Sequence, residues 1–379
     1  MTIGTAGAVE VSVQDCKTCH LDMYQKWDES AHSQKIECAT CHSLVNGDYN
    51  DHIADPSKSV PEVDLSADSC GNCHVDIFDE WNEYGEGTFD VTIMASHSEP
   101  VIGVEPRLLE AGRSCVSCKS TDGGIFNIEE AGIYEFAEEE LPEPEDVEEW
   151  RITCVACHEP HSTLLRMEDA TLLCSNCHNS EGAVPDGETT IARHTQWEMY
   201  NDSVYSSGKH PGDIGCVDCH MAELPENESI QRNAVSGHSF KINTTVLSSP
   251  EAMNGCYECH GESLPALVEA KQEGISARLE NLEQLQAEAT RALESLNGTV
   301  EYEVQQGNYN NALFYISSVR NDGSLGIHNG ESARNELNTA EGLFTEVIES
   351  EAKDEKAPGF EILTTLGILL STYYLIKKE

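Results

Sequence analysis

The sequence predicts a mainly α-helical protein in two parts: a loop-rich stretch organised by cysteines, then long antiparallel helices. Two observations carry that reading. All sixteen cysteines fall into eight C-x-x-C pairs: Cys16/Cys19, Cys38/Cys41, Cys70/Cys73, Cys115/Cys118, Cys154/Cys157, Cys174/Cys177, Cys216/Cys219 and Cys256/Cys259. Beyond them, Leu264, Val268, Ile275, Leu279, Leu282, Leu285, Ala289, Leu293 and Leu296 recur at three- and four-residue steps, the period of one helix face.

Seven pairs are followed at once by histidine: His20, His42, His74, His158, His178, His220 and His260. This is the attachment signature of c-type haem, in which two thioethers hold the porphyrin and the next side chain ligates iron. The fourth pair is followed by Lys119 instead. Structural zinc sites and thioredoxin-like redox pairs also use C-x-x-C, but neither needs a histidine directly after the second cysteine. The expected cofactors are eight covalently bound haem c groups, and the expected fold class is a multihaem cytochrome c with a loop-rich, haem-packed core. Sharing 379 residues among eight haems leaves about 47 per cofactor, too few for a separate domain around each. Aromatic residues make up only 6%, so porphyrin faces are expected to replace large core side chains, and folding to depend on haem attachment.

Lys and Arg number 22 against 68 Asp and Glu, a formal charge of −46. Nucleic acid is excluded as a partner on that ground, and the surface suits a solvent-facing protein. The motifs are unevenly spaced, so this is no tandem array of identical modules. Short helices are expected at 21–30 and 75–84, between loops punctuated by Gly and Pro. The acidic run from Glu138 to Pro144 reads as a solvated loop. Asn297-Gly298 ends the first long helix; helices over 300–319 and 331–350 follow, the latter placing Leu337, Ala340, Phe344 and Val347 on one face. Helices in this order pack on one another or on another subunit, so a homo-oligomer, a trimer or dimer, is expected. The resulting division is 1–15 as the end of a leader, 16–110 as a three-haem region, 111–262 as a five-haem core, 263–350 as the helical region and 351–379 as linker and anchor.

An electron-transfer haem has both axial positions filled, so seven His-ligated haems call for seven further ligands. Of 15 histidines, eight remain to supply them: His32, His52, His97, His161, His194, His210, His238 and His328. One is surplus. A lysine ligates iron only as the neutral amine, so the metal must displace its proton, and the far side of such a haem can stay open to a small ligand.

Cys115 to Ser120 reads Cys-x-Ser-Cys-Lys-Ser, which resembles the catalytic haem site of pentahaem ammonia-forming cytochrome c nitrite reductases. Octahaem relatives, the octahaem nitrite reductases and hydroxylamine oxidoreductases, place their catalytic haem fourth, as here. The stretch His194-Thr195-Gln196-Trp197-Glu198-Met199-Tyr200, continuing to His210 and the motif ending in His220, is similar to the region where those enzymes carry an active-site histidine, a distal ligand and the next haem motif. The resemblance spans Cys16 to Asn329 in haem order. It implies that His194 is the surplus, catalytic histidine. His32, His52, His97, His161, His210, His238 and His328 are then the distal ligands. Departures exist. Asn179-Ser180-Glu181 follows His178, where the pentahaem enzymes have a tyrosine, and Ile191 and Arg193 stand where they have a calcium-holding Lys and Gln. Tyr302, Tyr309 and Tyr315 are candidates for the tyrosine crosslink of hydroxylamine oxidisers, a direction that Lys119 argues against.

Met1 to Asp15 has neither a basic start nor an apolar run of export-signal length, although haem attachment happens outside the cytoplasm. Near the C-terminus, Pro358-Gly359-Phe360 is followed by a mostly apolar run from Ile362 to Ile376 and then Lys377-Lys378. That order resembles the Pro-Gly-Phe sorting signal of archaeal surface proteins, which implies an extracytoplasmic protein touching the membrane only through a C-terminal anchor. The reaction implied by the resemblance is reduction of a small nitrogenous substrate, nitrite or hydroxylamine, to ammonia. Lys119 would ligate the catalytic iron, His194 would donate protons, and Arg107 and Arg113 would attract the anion past a negative surface. Redox partner cytochromes or membrane electron carriers would supply electrons. Two alternatives stand beside this: a surface-anchored electron conduit without turnover, and hydroxylamine oxidation.

Overall fold

The structure is a computed structural model describing residues 12–33, 35–42, 49–57, 59–60, 64–83, 116–129, 141–180, 182–201, 214–222, 237–240, 242, 247–250 and 256–354. It is mainly helical, as expected. The chain divides into two compact units, one of Met1–Cys177 with Gly212–Pro265 and one of His178–Pro211 with Ala266–Glu379.

The first unit is built from short helices: α1 (Val13–Lys17), α2 (Leu21–Asp28), α3 (Cys38–Cys41), α4 (Tyr49–Ala54), α5 (Asp68–Gly71), α6 (Val75–Glu83), α7 (Val116–Lys119), α8 (Thr121–Glu129), α9 (Cys154–Cys157) and α10 (Ala170–Ser175). The unit's later segments add α12 (Cys216–His220) and α13 (Cys256–His260); α11 belongs to the second unit. Their brevity has a local cause. In α3 and α9 the chain leaves the helix at the motif histidine, whose backbone is extended (His42 φ −102°, ψ 106°; His158 φ −107°, ψ 136°). One turn is therefore all that C-x-x-C forms. Helices this short are not stable alone in water, where about 12–15 residues are needed. Leu141 and Pro144 are buried, so the acidic run expected to be a solvated loop is anchored at its described end by its own apolar residues.

The second unit carries α14 (Leu264–Ser295), α15 (Tyr302–Asn321) and α16 (Gly330–Asp354), with α11 (Gln196–Asn201) against them. Pro265 sits in the first turn of α14, where its missing N–H costs nothing, and Gly298, at φ +86°, takes the left-handed turn beyond its end. Asn329 caps α16 by accepting from the amides of Glu331 and Ser332. Cross-links fix the directions. Thr290 meets Tyr309 and Glu283 meets Arg320, so α14 and α15 are antiparallel; Asn308 reaches Glu346, so α15 and α16 are antiparallel too. The shared core holds Leu279, Leu282, Leu293, Leu337 and Phe344, positions marked by the helical period in α14 and α16, together with Ile316 of α15. Val300 is 97% exposed and lies before α15 rather than inside it.

Phe344 is fully buried, with its ring centroid 5.4 Å from that of Tyr309. Phe344→Ala is expected to destabilise the helical unit by about 3–5 kcal/mol, read by denaturant unfolding in far-ultraviolet circular dichroism.

Candidate functional site

In four motifs the amide of the residue after the second cysteine donates to the carbonyl of the first: His20 to Cys16 at 2.9 Å, His42 to Cys38 at 3.0 Å, His74 to Cys70 at 2.9 Å and His158 to Cys154 at 2.9 Å. The two sulfurs of each pair are thus one helical turn apart on one face, as attachment to one porphyrin edge demands. Thiols of different motifs also touch within the first unit. Cys16 hydrogen-bonds Cys38, Cys70 bonds Cys154, Cys118 bonds Cys177, Cys174 bonds Cys216, and Cys219 bonds Cys256. Cys41 lies beside Cys70 and Cys73, and Cys157 beside Cys174 and Cys177. The motifs therefore form a line, first, second, third, fifth, sixth, seventh, eighth, with the fourth touching the sixth.

Four of the described attachment cysteines differ from their motif partners in how far the polypeptide covers them. Cys19, Cys41, Cys73 and Cys259 are exposed, whereas their motif partners Cys16, Cys38 and Cys70 are half-buried and Cys256 is buried. The cause is positional. Each exposed thiol is the second of its pair, at or just beyond the end of a helix of four or five residues, where the chain turns away and few side chains lie over it. Polypeptide packing thus covers the first cysteine of these motifs more than the second.

Three motif histidines face a second histidine. Ring centroids of His20 and His52 are 6.1 Å apart and nearly parallel at 8°; those of His42 and His161 are 6.0 Å apart at 14°; those of His32 and His74 are 6.1 Å apart at 42°. This is too wide for face contact between rings. A metal held at about 2.0–2.1 Å by one nitrogen of each ring leaves roughly 6 Å between ring centres, so the side chains fit an axially ligated haem iron. His238 lies close enough to His158 for their charges to interact.

Four of these rings, and those of His220 and His328, are oriented by a hydrogen bond at a ring nitrogen. His52 Nδ1 is 2.6 Å from the Ser59 carbonyl and His220 Nδ1 is 3.1 Å from the Phe240 carbonyl. The ring of His32 bonds the Pro160 carbonyl, and that of His158 the Thr163 carbonyl. His161 Nδ1 is 2.9 Å from Glu159 Oε1, and His328 Nδ1 bonds the buried carboxylate of Asp322. A bond at Nδ1 selects the tautomer that presents Nε2 to a metal. Burial pushes His158, His32 and His238 below the ordinary histidine range; for His32 the neighbouring His74 adds to it, and for His238 the neighbouring His158. All three shifts favour the neutral imidazole that ligates iron. Burial works to raise the Glu159 carboxyl, but hydrogen bonds from His161 and Ser162 outweigh it and bring the group down to about 2.

Lys119 ends α7 and is half-buried. The segment is braced by buried hydroxyls: Thr121 Oγ1 donates to the Arg151 carbonyl at 2.6 Å and lies 3.0 Å from Thr153 Oγ1, which donates to the Leu65 carbonyl at 2.7 Å. Ser120 Oγ donates to the Val116 carbonyl, and Gly123 approaches so closely that a Cβ there would collide with that oxygen.

In the second unit, residues 187–196 form a strap along α15. Gly187 N donates to Asn311 at 2.7 Å, Ala192 N to Ser317 at 2.7 Å, Thr195 Oγ1 to the Ser318 carbonyl at 2.7 Å, and Gln196 to the Asn321 carbonyl at 3.1 Å. Gly187, at φ +83°, takes a left-handed conformation that favours glycine where the strap passes Gly307. Within this clamp His194 is held at φ +52°, a strained backbone for a non-glycine residue of the kind that gathers at functional sites. Trp197 N bonds the His178 carbonyl, and Glu198 accepts from Ser180 N and Oγ at 3.0 and 2.9 Å, so a serine–glutamate clasp occupies the region where the resemblance calls for a tyrosine. Tyr302 and Tyr309 direct their hydroxyls to Gln306 and Thr290 within the helices. Cys115, His97, His210, Arg107 and Arg113 lie outside the described residues.

Comparison with known families matches residues 182–346 to the family described as cytochrome c552 and residues 147–183 to a doubled CXXCH motif. Among solved structures, the chain is similar to the outer cell wall cytochrome OcwA (TM-score 0.57, 17% identity, 88% of this chain and 99% of that one). The chain is a multihaem c-type cytochrome. Its fold is also similar to that of the undecahaem S-layer cytochrome of Carboxydothermus ferrireducens (TM-score 0.54, 23% identity, 82% of this chain), of which it spans only 50%. A third likeness is to the catalytic subunit of the cytochrome c nitrite reductase of Desulfovibrio desulfuricans (TM-score 0.51, 15% identity, 80% of this chain and 88% of that one). No curated protein sequence matches.

In this multihaem cytochrome, Leu21 and Val75 directly follow motif histidines and remain 49% and 53% exposed in the chain itself, apolar surface suited to contact with porphyrin. The orienting groups Glu159, Pro160, Ser59 and Asp322 went unread in the sequence. Only the two acidic residues left a trace there, each a few positions before a histidine. Gly123→Ala is expected to push α8 away from α7 and lower stability by about 1–3 kcal/mol, measured by thermal unfolding, with the visible spectrum of the fourth haem changing while others hold.

Proposed function

We propose that this multihaem cytochrome carries eight haems and reduces nitrite, hydroxylamine or both to ammonia at the haem ligated by Lys119. The observation that carries this reading is the lysine itself, standing where the other seven motifs have histidine. The fourth motif touches the line of motifs through Cys118 and Cys177, a side branch that suits a terminus of electron flow. Haem, when bound, supplies an iron that can exchange electrons with a small ligand. Lys119 would close one axial side of it. The remaining seven haems would be ligated through His20/His52, His42/His161, His74/His32 and His158/His238, with His97, His210 and His328 serving those of His178, His220 and His260. His194 would hold and deliver protons, a role imidazole suits near neutral pH, and the strained backbone that fixes it supports the assignment. Arg107 and Arg113 would draw an anion through the acidic surface. The fold likeness to a nitrite reductase is consistent with this reading.

A second reading has its own support. Two structures of similar fold are named as an outer cell wall cytochrome and an S-layer cytochrome, and the near-continuous line of motif contacts suits an electron conduit. In either reading we place the protein outside the cytoplasm, anchored through 351–379, with cytochromes or membrane carriers as redox partners and a dimer or trimer as its assembly. Among the described residues no helix is long and apolar enough to cross a membrane, and Ile362 to Ile376 lie outside them.

Nitrite or hydroxylamine is expected to perturb a high-spin signal from one haem; a wholly low-spin spectrum that neither changes leaves the conduit reading. His194→Ala should slow nitrite reduction by about 100-fold or more without loss of any low-spin haem. Lys119→His should keep the haem content, by pyridine haemochrome assay, while changing turnover.

A further inference from the structure

We infer that Glu159 sets the electron affinity of the haem assigned to His42 and His161, making it the low-potential member of the first three. The inference rests on the ligand pairs proposed above. Its ground is the tetrapeptide His158-Glu159-Pro160-His161, which touches three histidine sites at once. His158 is a motif histidine, the Pro160 carbonyl bonds the ring of His32 opposite His74, and His161 faces His42.

Between these backbone contacts, Glu159 alone brings a full charge. Its Oε1 is 2.9 Å from His161 Nδ1 and 3.4 Å from the His161 amide, and its Oε2 accepts from Ser162 N at 2.7 Å. The turn is closed by Thr163 N to the Glu159 carbonyl at 2.8 Å and by Glu159 N to the Leu164 carbonyl at 2.9 Å, so the carboxylate is locked in place. Its neighbours in the line are backed differently. His52, facing His20, is bonded to the Ser59 carbonyl, and His32 to that of Pro160; both acceptors are neutral.

A carboxylate on Nδ1–H draws the ring proton toward itself and strengthens electron donation through Nε2, and its negative charge favours ferric over ferrous iron. A carbonyl orients the ring with much less of either effect. The second motif touches the first through Cys16 and Cys38 and the third through Cys41 and Cys70. An electron crossing this run therefore meets a raised step in the middle, and rests on the first or third haem rather than the second.

Glu159→Gln in the full haem-loaded protein keeps the hydrogen-bond acceptor and removes the charge. Spectroelectrochemical titration should show one midpoint potential rising by about 59 mV, equivalent to a tenfold change in a one-electron equilibrium, with haem content and low-spin absorption unchanged. Glu159→Asp, which retains the charge, should lie nearer the wild type. His161→Ala separates the two levels of the argument. If it converts one haem to high spin while Glu159→Gln leaves every midpoint in place, the role of Glu159 is overturned and the ligand pair stands. If it leaves all haems low-spin, the ligand pair falls and the inference with it.

Discussion

Three pairs of histidine rings stand 6.0–6.1 Å apart, each pair drawn from segments well separated in the chain, and this spacing governs the architecture of the first unit. A gap of that width is too wide for the rings to pack face to face. It matches the space of an iron and its two nitrogen bonds. The helices that hold the rings are one or two turns long and cannot persist unaided, so the chain relies on the cofactor both as core and as cross-link. His42 and His161 illustrate the point: they lie far apart in the chain, yet their rings face one another at 6.0 Å.

Around the rings, polar groups are arranged to keep the imidazoles aimed. Ser59, Pro160, Thr163 and Phe240 contribute backbone carbonyls, and Glu159 and Asp322 contribute carboxylates. A hydrogen bond of this kind adds about 1 kcal/mol to stability, but its larger effect is geometric and electronic: it chooses the tautomer and tunes how strongly the other nitrogen donates. The turn at 322–330 shows how much chain is committed to one such ring. Left-handed Gly323, Leu325 and Gly326 bend the backbone so that the Ser324 hydroxyl meets the amides of Ile327 and His328. His328 is thereby held in one orientation.

The second unit applies a different logic. Its three long helices bury a continuous aliphatic face and are stable by ordinary packing, which makes α15 a rigid edge. The strap from Gly187 to Gln196 borrows that rigidity through side chains of Asn311, Ser317 and Asn321 and the backbone of Ser318, and so can hold His194 in a conformation a free loop would not keep. Helices of the second unit thereby hold the strap on which His194 sits.

Residues that act through covalent chemistry or through local period were readable in one dimension. Cysteine and histidine spacing announces haem attachment because the thioethers and the iron bond need neighbouring side chains on one turn, and the helical repeat marked α14 and α16 because burial recurs with each turn. The same spacing is silent on cover: Cys16 and Cys19 are equivalent in the motif, yet one is half-buried and the other exposed, because burial depends on what other segments bring to each sulfur. The helix expected over 300–319 forms as Tyr302–Asn321, shifted because the exposed Val300 has no face to bury. What faces what was settled only by the folded chain. His161 opposite His42, Pro160 behind His32, and the strap laid on α15 are contacts between distant segments, and backbone carbonyls, which do much of the orienting, are present at every position and so leave no mark in a sequence.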